Sequence, residues 1–360
     1  MFELYYSNCP VPSAFVVAIR AFEKEFAARG VHFSVLPSEH STTHFSGDLP
    51  AYFRFGGEIP PLITQGLRAP GTTRLIGLTP LRGIQGYFVR QDSAIRNPAD
   101  LRGKRVGIAY NARHVVNALN DVDYRGLHSW DQTMCALGTW ELRALLHTLA
   151  LGGLRLADVE LVDVRTPWSL SLADAQAAAA HSPKHLFRDT ASREGNDQIA
   201  AVLDGRCDAI FSFLAYGAEI ERRGQLRLLA DLGAHRQDDY VSAFTVSALL
   251  AKEHPEVVQA VMDVCALAGE WAKTHPDEVA RIMAENLGVS PESIPRGYGE
   301  DFHLDLVPRL DPEALRLLDQ TQRFLVDKGL MPAPVDVPAW ADRRFLDAAT
   351  ATAQTRRASA

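Results

Sequence analysis

NPADLRGKRVGI, residues 97–108, reads as a short helix followed by a strand and marks the start of a second folding unit. Downstream of it the pattern alternates. Helix TWELRALLHTLALGG (139–153) leads to strand VELVDVR (159–165), helix NDQIAAVLDGR (196–206), strand CDAIFSF (207–213), helix AYGAEIERRG (215–224) and strand LRLLADLG (226–233). Upstream, Phe2–Ser7 reads as a strand, Pro12–Arg29 as a helix stopped by Gly30, and Val31–Leu36 as a second strand. A polar segment, PSEHSTTHFSGDLPAYFRFGG (37–57), reads as a long loop before helix EIPPLITQGLR (58–68) and strands TRLIGLTPL (73–81) and GYFVRQD (86–92). Such alternation implies parallel sheet with helices on its faces. From His254 the chain reads as helical, AAAAHSPKHLF (177–187) as a loop, and the tail ATAQTRRASA (351–360) as frayed.

The chain has 360 residues, 47% of them hydrophobic and 22% charged, enough for two globular domains. A net charge of −7 gives no electrostatic reason to expect nucleic acid, and no apolar run is long enough to cross a bilayer. The N-terminal MFELYYSNCP lacks a basic region, an apolar core and a small-residue cleavage site, so the expectation is a cytoplasmic protein. Cys9, Cys135, Cys207 and Cys265 lie far apart, with neither disulfide nor zinc spacing. No HExxH, GxGxxG, P-loop or GxSxG motif occurs, so no metal, nucleotide or other cofactor is expected.

Three stretches, NPADLRGKRVGI, AVLDGRCDAIF and HPEVVQAVMDVCALAGEWAKTHPDEVARIMAENLG, resemble type II periplasmic binding proteins of the sulfonate and nitrate kind. The resemblance implies an α/β fold of two domains, with mixed sheets, helices on both faces and a ligand cleft between the domains. Residues 1–90 and 235–360 would form domain I, and 91–234 domain II, which closes over the ligand.

Cys9 stands in the stiff turn SNCPVP, where the first strand ends and the first helix begins. Ligands of open α/β sheets bind beyond the carboxyl ends of strands, and a helix N-terminus favours thiolate. The plainer alternative is a small buried hydrophobe, which is also the reading for the other three cysteines. The loop after the second strand carries His44, Arg54 and Gly56-Gly57, directly before a helix start rich in proline. Read functionally, these are a base and an anion clamp facing the thiol. Read plainly, they are a structural histidine, a surface ion pair and a turn.

YSNCPVP, HF-x-x-D-x-PAY-x-RFGGEIPPL, GLRAPG-x-TRL, ALG-x-WE-x-RALLHTL, LGVS and LVPRLD together resemble the 2'-hydroxybiphenyl-2-sulfinate desulfinase family, from about Tyr6 to Trp340. That resemblance implies hydrolytic cleavage of the carbon–sulfur bond of an aromatic sulfinate to an arene and sulfite without a cofactor, as in the last step of dibenzothiophene desulfurisation; a monomer is the expectation. It assigns catalysis to Cys9, His44 and Arg54, sulfinate contact to Ser7 and the Gly57 N–H, and ring packing to Phe45, Leu137, Trp140, Phe187 and Leu214. Two routes stay open: Cys9 attacks sulfur, or Cys9 protonates the ring carbon. Gly47 and Leu49 depart from the tyrosine and glutamine that the family pattern has on either side of Asp48, which leaves the preferred aryl group open. The alternative from another class is a sulfonate- or sulfinate-binding protein without chemistry.

Overall fold

The computed structural model describes residues 2–8, 17–18, 22, 26–28, 30–36, 47–121, 129–164, 198–235 and 239–359. They form two compact α/β units, one of Met1–Leu81, Tyr240–Asn286 and Asp301–Ala360, the other of Arg82–Asp239 and Leu287–Glu300. Residues 287–300, read above as part of domain I, pack in the second unit. There Glu219 accepts hydrogen bonds from the Ser290 N–H at 3.2 Å and the Ser293 hydroxyl at 2.8 Å.

In the first unit, β1 (Phe2–Asn8), β2 (Val31–Val35), β3 (Tyr52–Gly57), β4 (Thr73–Leu81) and β10 (Tyr240–Ser247) form a sheet in the order β2-β1-β3-β10-β4. β1 runs parallel to β2 and β3, while β10 is antiparallel to β3 and β4. The polar loop read over 37–57 therefore ends in a central strand. All six residues of β3 are buried, and Phe55 pairs in register with Phe244 of β10. A strand covered on both faces shows no alternation of polar and apolar residues, which hides it among its neighbours. Ala18, Phe22 and Phe26, at the four-residue spacing of a helix face, are buried as well.

The predicted helix 58–68 is one α-turn, α1 (Ile59–Ile63), continued by a π-turn over Thr64–Arg68. Pro60 and Pro61 occupy its start, where missing N–H groups cost nothing. Helix α9 (Pro312–Asp327) is capped by Asp311, whose side chain accepts from Ala314 N–H, and it packs against β10 and β4 with Leu317, Leu318 and Leu325 buried. Residues 351–359 of the tail read as frayed belong to helix α11 (Arg344–Ser359). Here α9 and α11 follow, in chain order, α2 (Tyr110–Asp121), α3 (Ser129–Leu151), α4 (Leu214–Arg222), α5 (Ala248–Glu253), α6 (Pro255–Ala272), α7 (Pro276–Leu287) and α8 (Ser293–Tyr298); α10 (Val337–Trp340) lies between them.

In the second unit, β5 (Gln85–Arg90), β6 (Arg105–Ala109), β7 (Glu160–Val164), β8 (Ala209–Phe213) and β9 (Leu226–Leu228) form a sheet in the order β7-β6-β8-β5-β9. β6 is parallel to β7 and β8, and β5 runs against β8 and β9. Successive side chains feed opposite layers: Tyr87 and Val89 join a core with Leu101, Val106, Ile108, Leu145 and Leu149, while Phe88 joins Val164, Val202, Cys207 and Ile210.

Candidate active site

The carboxyl ends of the parallel strands β1 and β3 share one edge of the first sheet. Ser7 and Asn8, which end β1, pair in register with Arg54 and Phe55 of β3. β1 ends with Asn8 at the edge where β3 reaches Gly57. Cys9, His44, Phe45 and Phe187 themselves lie outside the described residues.

Arg54 is 2% exposed, which rules out the surface ion pair considered above. It lies between Ser7 on one neighbouring strand and Thr245 on the other. Burying a guanidinium is costly unless it meets acceptors, so an arginine deep in a sheet has a stabilising or a ligand-holding task. Gly57 closes β3 in register with Ser242. The Arg54 fork and backbone N–H groups are able to hold an anion here.

In the second unit, Leu137 and Trp140 belong to α3, with Trp140 half-buried. Gly138 lets α3 approach α2 closely, since a Cβ there would fall 2.1 Å from the Asn111 carbonyl oxygen. Glu141, 3% exposed, accepts the Ala109 N–H at 3.1 Å and ties α3 to the carboxyl end of β6. Burial, with the Glu141 charge adding to it, pushes the Tyr87 phenol well above its usual range. Leu214 is buried and has φ of 50°, a left-handed backbone at the β8–α4 junction, and its N–H donates to the Ile84 carbonyl at 2.6 Å. A non-glycine residue held there stores strain of about 1–3 kcal/mol, a feature that clusters at ligand sites.

Sequence reading did not single out the buried carboxylates Glu58 and Glu141. The signal for each was its chain position, beside Gly57 and beside Trp140. Cys207 and Cys265 are free and buried. Burial pushes the Cys207 thiol up to about 11 and raises Cys265 as well, so both are packing residues. Among the described residues, no group of three or more His, Cys, Asp or Glu could hold a metal ion, and no helix is long and apolar enough to cross a membrane.

No protein-family model matches the chain. It is 44% identical over 345 residues to the 2'-hydroxybiphenyl-2-sulfinate desulfinases of Rhodococcus erythropolis and Rhodococcus qingshengii, covering 96% of this chain and 92% of each relative. The chain belongs to the 2'-hydroxybiphenyl-2-sulfinate desulfinase family. Among solved structures, a cysteine-to-serine mutant of the desulfinase DSZB, crystallised with biphenyl-2-sulfinic acid, superposes with a TM-score of 0.86 at 42% identity, over 96% of this chain and 98% of that one. The aliphatic sulphonate binding protein SsuA of Escherichia coli superposes with a TM-score of 0.61 at 16% identity, over 95% of this chain and 92% of that one. That second likeness is one of fold alone.

Proposed function

We propose that the protein hydrolyses the carbon–sulfur bond of an aromatic sulfinate, 2'-hydroxybiphenyl-2-sulfinate or a close relative. Sulfinate and water enter; the arene and sulfite leave, the arene carbon taking the proton and sulfur the hydroxyl. The observation that carries this reading is the 44% identity over 96% of the chain to enzymes of that activity. The buried Arg54, on the strand that ends at Gly57 and in register with Ser7, supports a sulfinate-holding role for this sheet edge.

In this reading the Arg54 fork and the Gly57 N–H bind the sulfinate oxygens, with Ser7 beside them, and Cys9 meets the C–S bond with His44 tuning its thiol. Phe45, Leu137, Trp140, Phe187 and Leu214 pack the rings. Both routes for Cys9 give the same products. Attack on sulfur forms an S–S bond as the C–S bond breaks and the arene leaves with a proton, and water then breaks the S–S bond, releasing sulfite and the thiol; proton donation to the ring carbon expels sulfur dioxide, which hydrates to sulfite and returns the proton to Cys9. The reading takes the enzyme to need no cofactor and to act as a cytoplasmic monomer, which light scattering on a sizing column and cell fractionation would check.

The test is direct. The purified protein incubated with 2'-hydroxybiphenyl-2-sulfinate should release sulfite and 2-hydroxybiphenyl in equal amounts. Binding of the sulfinate with no sulfite release would overturn the assignment in favour of a binding protein.

A further inference from the structure

Glu58 directly follows Gly57 and lies at the N-cap of α1, yet its side chain does not cap that helix. The carboxylate is instead completely buried, and its Oε1 accepts a hydrogen bond of 2.7 Å from the Thr321 hydroxyl. Thr321 is itself 1% exposed and sits on α9, the helix whose Leu317, Leu318 and Leu325 are buried in the same unit. The Glu58 carbonyl accepts the Leu62 N–H at 3.0 Å, so the backbone after Gly57 is tied down twice: by its own helix turn, and through the side chain by α9. Pro60 and Pro61 carry no N–H and fix φ, which leaves the turn little freedom of its own.

A buried carboxylate is an expensive way to fill a core position that a leucine could occupy. Placed one residue after a glycine whose N–H holds an anion, it would also oppose that anion unless hydrogen-bond donors draw off its charge. We infer that Glu58 is a positioning residue: through its bond to Thr321 it fixes the β3–α1 turn so that the Gly57 N–H stands at the sulfinate. The inference rests on the proposed function, and it concerns groups that this reading does not use.

A fixed N–H contact to the sulfinate is made in the ground state as well as in the transition state. Its loss therefore appears in KM more than in kcat. Thr321→Val keeps the shape and removes the donor, whereas Thr321→Ser keeps the donor. With sulfite release from 2'-hydroxybiphenyl-2-sulfinate as the assay, Thr321→Val should raise KM about tenfold, with kcat within about twofold of wild type, as expected for a hydrogen bond to a charged group. Thr321→Ser should restore KM to within about threefold.

Unchanged KM in a folded Thr321→Val would overturn the positioning role, and so would a fall in kcat alone, which signals fewer folded molecules. If Thr321→Val fails to fold, Glu58→Leu and Glu58→Gln serve instead. The glutamine retains an acceptor for Thr321 and should keep KM within about threefold, while the leucine should raise it about tenfold; equal KM for the two would overturn the role. A wild type that releases no sulfite at all would instead overturn the proposed function and this inference with it.

Discussion

Ser7 of β1 and Arg54 of β3 are register partners on parallel strands. The pairing matters because it sets two chain exits side by side: β1 ends one residue past Ser7, and β3 ends three residues past Arg54, at Gly57. The ends of β1 and β3 therefore lie at one sheet edge, the edge where ligands of open α/β sheets bind.

Arg54 is the part of that arrangement most open to a conservative test. Lysine keeps the charge but loses the planar fork that pairs with two oxygens at once. Arg54→Lys should lower kcat/KM for sulfite release by well over tenfold, and Arg54→Ala by more, partly through the cost of emptying a buried site. Wild-type kinetics in either variant would place Arg54 outside the reaction.

Much of this frame was legible in the sequence, and the gaps have physical causes. The strands of the second unit announce themselves through helix–strand alternation, as in Arg105–Ala109 and Ala209–Phe213. β3 and β10 do not, because all their residues are buried and the pattern has no polar face to show. Arg54 and Gly57 stood out as candidates for holding an anion, but as parts of a loop rather than of a central strand. The burial of Glu58 depends on a partner 263 residues away, and the left-handed backbone of Leu214 on its junction with the strand before it; neither leaves a local signature.

Gly47 shows how a departure from the family pattern can be fixed by the backbone. Its φ is 62°, and a Cβ would come within 2.8 Å of the Thr72 hydroxyl oxygen and 3.0 Å of the Thr73 methyl. Gly47→Tyr, which would restore the tyrosine of the family pattern, should therefore destabilise the protein by about 1–3 kcal/mol, and sulfite release should be no faster. Thermal unfolding and turnover on the same sample check both halves. A variant as stable as wild type would show that the loop readily adopts another backbone.

Glu219 links stability to pH. Burial alone would raise its carboxyl, but hydrogen bonds from Arg222, Ser293 and Ser290 outweigh that and hold it at about 2, below the ordinary 4.5. A depressed pKa means that the ionised group stabilises the fold in full above about 4.5, and that this contribution is lost as pH falls through about 2. Wild type should resist urea better than Glu219→Gln at neutral pH, and the gap should close between pH 4.5 and 2. A gap of constant size across that window would mean that the glutamine makes the same bonds and that the charge is immaterial.

If His44 tunes the thiol, His44→Ala should lower kcat more than it raises KM, and should shift the pH dependence of Cys9 alkylation. An unchanged alkylation profile together with unchanged turnover would return His44 to a structural role.

Cys9 separates an enzyme from a binding protein on the same scaffold. Binding energy in the proposed site comes from ring burial and from the Arg54–Gly57 anion clamp, neither of which needs sulfur at position 9. Serine is close in shape to cysteine but far less acidic, and at neutral pH it is a poor nucleophile and a poor proton donor. Cys9→Ser should therefore bind biphenyl-2-sulfinate within about an order of magnitude of wild type while releasing almost no sulfite from 2'-hydroxybiphenyl-2-sulfinate. A binding protein forecasts the reverse: wild type itself releases none, and the substitution changes nothing. Calorimetric titration and a sulfite assay on the two proteins decide the matter. Turnover at the wild-type rate in Cys9→Ser would make the cysteine a packing residue and leave the chemistry of this sheet edge to other groups.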